Sequence, residues 1–167
     1  TLQNVIDEST VEKDNLVVEL ESLTHQLGKK AETICELQHS MAYHQMEMKA
    51  AKIKNNELEM SLTYQELHKK AAMGIVLSEE EWEDIQKMVI ELLPEFNNFI
   101  MQKKYALTNT QHKVCLLMRL NINQASIGHM LDVSAPYITK MSHIIMKKMF
   151  NIDGTGKDLE AELSKIR

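Results

Sequence analysis

The chain has 167 residues, of which 26% are charged, 44% hydrophobic and 5% aromatic, with a formal net charge of −5. That composition excludes the disordered, collagenous and membrane-spanning classes. Two cysteines, Cys35 and Cys115, exclude a disulfide scaffold, and neither a signal peptide nor an apolar run of roughly 18 residues occurs, so a reducing cytoplasm is the expected compartment.

Both prolines, Pro94 and Pro136, lie in the second half, so nothing before residue 94 must stop a helix. An uninterrupted heptad with d at Leu2 and a at Ile6 makes seven of ten a positions apolar: Ile6, Leu20, Leu27, Ile34, Met41, Met48 and Leu62. The d positions contribute Leu16, Leu23, Leu37 and Leu58, against Ser9, Lys30, His44 and Gln65. A narrow seam kept over so many heptads predicts a coiled coil, read as one continuous helix over residues 1–75 and roughly 110 Å long. Asn55 at a favours two strands in fixed register, and Glu47 with Lys52 and Lys54 with Glu59 are attractive g-to-e pairs in a parallel dimer. The expected dimerisation set is Leu16, Leu20, Leu23, Leu27, Ile34, Leu37, Met41, Met48, Asn55, Leu58 and Leu62. A competing stripe of Ile53, Met60, Tyr64, Leu67 and Ala71 announces a phase change near the end. Cys35 and His39 lie one helical turn apart but outward, and two ligands do not close a metal site.

Residues 76–106 predict a helical connector. Ser78 with Glu81 is a capping box, Trp82, Ile85, Val89 and Leu92 recur at helical spacing, and Pro94 opens a further helix carrying Phe96, Phe99 and Ile100. Residues 107–150 hold five basic groups against one acidic, a net of +4, so electrostatics nominates them for any polyanion. Thr108 is the expected cap of a helix ending near Leu120, with Val114, Cys115, Leu117 and Met118 buried. A short helix over 124–131, a turn at 132–134 and a longer helix over 135–149 follow, with Ser134 as its cap and Pro136 in its first turn. Helix, tight turn, helix is the DNA-reading arrangement whose second helix enters the major groove.

On a helical wheel centred on Ile138, Ser142, Ile145 and Met149 point inward, while Pro136, Lys140, His143 and Lys147 point nearly opposite. The expected DNA contacts are Pro136, Thr139, Lys140, His143, Lys147 and Lys148. Lys140 suits a guanine edge or a phosphate, Thr139 and His143 suit hydrogen bonds to base or backbone, and Lys147 and Lys148 suit phosphates.

The run LTNTQHKVCLLMRLNINQASIGHMLDVSAPYITKMSHIIMKKMF resembles, without a gap, the LuxR/NarL-type helix-turn-helix of bacterial transcription regulators, over 44 of the 167 residues. Leu107, Thr108, Val114, Leu117, Ile127, Leu131, Val133, Ser134, Ile138, Ile145, Lys148 and Met149 fall on that family's structural positions. The wider layout, with SEEEWEDI, LLPEFNNFI and a closing KDLEAELSKI helix, resembles the C-terminal part of Bacteroidetes sensor-regulators. That resemblance implies tetratricopeptide repeats and a membrane anchor upstream, in keeping with a chain that opens on Thr1. The family usually has Gly at the positions of Asn121 and Asp132, both residues tolerant of left-handed backbone, and Lys at that of Thr139.

Catalysis finds little support. The run from Asp153 to Lys157 resembles the end of a phosphate-binding loop but has Asn151 for its first Gly and Asp158 for Ser or Thr. No nucleophile elbow, metal triad or dinucleotide fingerprint occurs, so no enzyme, cofactor, metal or small-molecule substrate is expected. The expectation is an all-α regulator: a coiled coil over 1–75, a connector over 76–106 and a helix-turn-helix domain with its C-terminal helix over 107–167. Its partners are double-stranded DNA and a second copy of the chain. The competing reading is a coiled-coil adaptor whose helix-turn-helix binds protein.

Overall fold

The computed structural model describes residues 1–166, and they are all-helical. Eight α-helices follow in order: α1 Leu2–Met60, α2 Leu62–Met73, α3 Glu79–Leu92, α4 Pro94–Ile100, α5 Asn109–Arg119, α6 Gln124–Met130, α7 Ala135–Phe150 and α8 Gly156–Ser164. A single 3-10 turn, Lys103–Tyr105, lies between α4 and α5. No helix among the described residues is long and apolar enough to cross a membrane.

The chain divides into two compact units, residues 1–50 and residues 51 onward. In the first, α1 passes through Gly28, where an added Cβ would meet nothing within 4 Å, and no residue is buried. Leu16, Leu20, Leu23, Leu27, Ile34, Leu37, Met41 and Met48 are all exposed. A helix whose apolar stripe faces water has no packing within its own unit to hold it, since most helical stability in proteins comes from burying such a face.

The expectation of one unbroken helix to residue 75 is corrected at Ser61. Ser61 adopts an extended backbone, φ −65° and ψ 130°, and starts α2. No local breaker forces this; the core does. Leu58, Tyr64, Leu67 and Ala71 are all buried in the second unit. At about 100° per residue, an unbroken helix would put Leu58 and Leu67 on opposite faces. One reset of the backbone brings both inside, and Ser61 Oγ then lies 3.3 Å from Met88 Sδ of α3. Leu58 is therefore removed from the expected dimer seam, being 2% exposed within its own chain. Leu62 is exposed but lies past the break, whereas Asn55 stays exposed within α1. The second compact unit begins at Ala51, so residues 51–60 of α1 and all of α2 belong to the head.

Within the head, local signals set the helix ends. Ser78 Oγ accepts the Glu81 N–H at 3.3 Å while Glu81 Oε2 accepts the Ser78 N–H at 2.8 Å, and the other Glu81 oxygen pairs with Lys70 of α2. Gly74, at φ +65°, ends α2 in the left-handed conformation that glycine adopts without strain. Pro94 occupies the first position of α4, directly after Leu93, where its missing N–H has no helical partner to lose. Phe96, Val89, Leu117, Ile127, Ile138, Ile145, Leu159 and Leu163 form one fully buried core joining α3 through α8. The run after Asn151 is a turn leading to α8, where Thr155 and Asp158 form a capping box. Asp158 carries a lowered carboxyl pKa because it accepts hydrogen bonds from the Thr155 N–H and hydroxyl.

Candidate nucleic-acid interface

The arrangement of α5, α6 and α7 is built from caps and left-handed turns. Thr108 Oγ1 accepts the Gln111 N–H at 3.3 Å, and Gln111 Oε1 accepts the Thr108 N–H at 3.0 Å, starting α5. Asn121, at φ +61°, closes it, with the Ile122 N–H donating to Leu117 O at 3.0 Å. Asn123 Oδ1 then accepts the Ser126 N–H at 2.8 Å to start α6. Asp132, at φ +54°, makes the turn between α6 and α7, and the Val133 N–H donates to Gly128 O at 2.9 Å. Asn121 and Asp132 thus both hold positive φ, as short polar side chains can. A Cβ on Gly128 would stand 3.0 Å from Val133 O, so the two helices meet closely at that turn and a larger residue would have to push the backbone aside. Ser134 Oγ caps α7 through the Tyr137 N–H, and Pro136 lies in the first turn.

The inward face of α7 carries Ile138, Ser142, Ile145, Met146 and Met149, all buried. Ser142 Oγ donates to Ile138 O at 2.9 Å, which satisfies the one polar group there. Pro136, Thr139, Lys140, His143 and Lys147 are all exposed, which matches the wheel. Thr139 Oγ1 donates to Ala135 O at 3.2 Å, leaving its hydroxyl oxygen as an acceptor. Lys147 Nζ lies 3.5 Å from Asp153, and since both side chains are largely exposed the pair contributes little. Tyr137, 38% exposed on the flank of the same face, was not among the expected contacts although the wheel places it there.

Lys148 is exposed as well, and it also serves the fold. Its Nζ donates to Ala106 O at 2.7 Å and to Gln111 Oε1 at 2.9 Å, so it ties the end of α7 to the entry of α5. That entry contains Ala106 at φ +46°, a left-handed alanine that no sequence signal announced. Two further cations of the basic segment are also engaged inside the head. Lys113 sits 4.6 Å from the Trp82 ring centroid and 3.5 Å from Glu79, and Arg119 Nε donates to Ile166 O at 3.2 Å above Phe96. Of the five basic groups in residues 107–150, Lys140 and Lys147 are the two left on the outward face of α7.

α2 leans on the turns of this motif. His68 Nε2 lies 2.9 Å from Leu120 O at the end of α5, and the Leu77 N–H donates to Met130 O at the end of α6. Tyr64 packs against the His68 ring at 4.3 Å.

Elsewhere the chemistry is sparse. Cys115 is fully buried, and burial pushes its thiol up to about 12, so it stays protonated and non-nucleophilic. Cys35 is exposed on α1 near His39. Among the described residues no three His, Cys, Asp or Glu side chains converge as a metal site. No protein-family model matches the chain, and neither a curated protein nor a solved structure matches it.

Proposed function

We propose that the chain is a dimeric DNA-binding transcription regulator that reads duplex DNA with α7, in the manner implied by its resemblance to LuxR/NarL-type regulators. The observation that carries this reading is the α6–α7 turn, closed over Gly128, which presents Lys140, His143 and Lys147 together on an exposed helix face backed by a rigid core. A helix so held can enter a major groove, where Lys140 donates to a guanine edge or a phosphate and Lys147 to a phosphate. The exposed stripe of α1 from Leu16 to Met48 is the surface that would pair two copies in parallel, giving two recognition helices for one site. Cytoplasmic residence follows from this role.

Binding of a DNA duplex across a salt series tests it. The proposal predicts affinity that falls steeply with salt, and loss of detectable binding in Lys140→Ala/Lys147→Ala with helicity and melting unchanged. The engagement of Lys113 and Arg119 inside the head favours a second reading, a coiled-coil adaptor that binds protein. Salt-insensitive binding by the wild type, or a double variant that binds DNA as well as the wild type, selects that reading.

A further inference from the structure

Of the five cations in residues 107–150, Lys113 and Arg119 are engaged inside the head and Lys148, though exposed, is tied to Ala106 O and Gln111 Oε1, so α7 by itself offers few cations to a polyanion. Six to ten phosphate contacts are common in DNA-binding proteins. Two further cations, Lys103 and Lys104, lie on the 3-10 turn before α5, and the fold fastens that turn to the C-terminal end of α7. Lys148 Nζ donates to Ala106 O at 2.7 Å, Tyr105 packs 5.3 Å from Phe99, and Phe99 stacks 6.1 Å from Phe150, the last residue of α7. Lys103 and Lys104 are exposed, and among the described residues neither has a carboxylate partner. Lys104 Nζ lies 5.0 Å from the centroid of the buried Tyr105 ring, a contact that leaves its charge unneutralised.

We infer that Lys103 and Lys104 form a second grip on the phosphodiester backbone of duplex DNA, flanking the groove that α7 enters. The inference rests on the DNA-reading role of α7. Because the two lysines reach backbone rather than base edges, they raise affinity uniformly across sequences.

The test uses the full chain and a DNA duplex that the wild type binds. Replacing both lysines by glutamine should lower the slope of log affinity against log salt by roughly 2 while the order of preference among duplexes is unchanged. Lys103→Arg/Lys104→Arg should retain the wild-type slope, and Lys87→Gln, on the outer side of α3, should leave it unaltered. A glutamine pair that binds with the wild-type slope overturns the phosphate grip and spares the role of α7. A glutamine pair that changes sequence preference overturns it in favour of base contact. A wild type that binds no duplex overturns both.

Discussion

Residues 1–50 and the head carry apolar side chains in comparable helical patterns and use them differently. In the first unit Leu20, Leu27 and Ile34 repeat every seventh residue and are 68%, 67% and 55% exposed, whereas Leu117 and Ile138 of the head are 0% exposed. A heptad spacing makes a stripe too narrow to enclose a core within one chain, while the wider faces of α3 to α8 close on one another. The head thus encloses its own core, whereas the apolar stripe of α1 has no packing within its own unit.

The largest expected contrast is between the two thiols. Cys35 should react with a water-soluble thiol reagent at an ordinary rate in the folded chain. Cys115 should react thousands-fold or more slowly, on the scale set by a typical domain stability of about 5 kcal/mol or above. Equal rates would mean that the head opens as readily as α1 is exposed. Core truncation comes next. Phe96→Ala should lower the unfolding free energy of the head by about 3 to 5 kcal/mol, whereas Leu20→Ala should leave the melting of the head unchanged and weaken only self-association. Urea unfolding followed by Trp82 fluorescence reads the head alone, because Trp82 is the single tryptophan and is buried there.

Glycines sharpen the contrast inside the head. Gly128→Ala places a Cβ 3.0 Å from the backbone oxygen of Val133, so the α6–α7 turn must move, at a cost of about 1 to 3 kcal/mol. Gly156→Ala meets only the terminal amide of Gln124, which can rotate away, and should cost clearly less in the same unfolding experiment despite its nominally closer approach. The smallest effect is on pH dependence. Burial lowers the pKa of His112, whose Nδ1 is buried without a hydrogen-bond partner among the described residues. The unfolded chain then binds the proton more tightly, so His112 makes the head less stable as pH falls through the ordinary histidine range, about 6.5, and below. His112→Gln should flatten that part of the melting profile; an unchanged profile assigns the loss to other groups.

Much of the head was legible in the sequence because its boundaries are set within a few residues. Ser78, Thr108 and Ser134 cap the helices they were expected to cap, and Asn121 and Asp132 take the left-handed turns. The outward placement of Lys140, His143 and Lys147 follows from helical geometry once Ile138 is known to face the core. Long-range effects were not legible. The competing stripe of Tyr64, Leu67 and Ala71 announced a change of phase, but not its form: the helix breaks at Ser61 because Leu58 and Leu67 must reach the same core, and no residue near it is a helix breaker. Lys148 belongs by sequence with Lys147, yet the carbonyl of Ala106, 42 positions away, captures it. The heptad count likewise assigned Leu58 to a seam because a seam residue and a core residue of one helix look alike until the partner surface is known.

Sequencing the duplex DNA recovered from a random pool by the purified chain tests the central claim most directly. Two α7 helices presented by one dimer predict enrichment of a site with two related halves, centred about 10 base pairs apart or a multiple of that spacing. The enrichment should vanish in Lys140→Ala/Lys147→Ala. A recovered pool indistinguishable from the input, under salt conditions where the chain is folded and dimeric, would contradict a DNA-reading role.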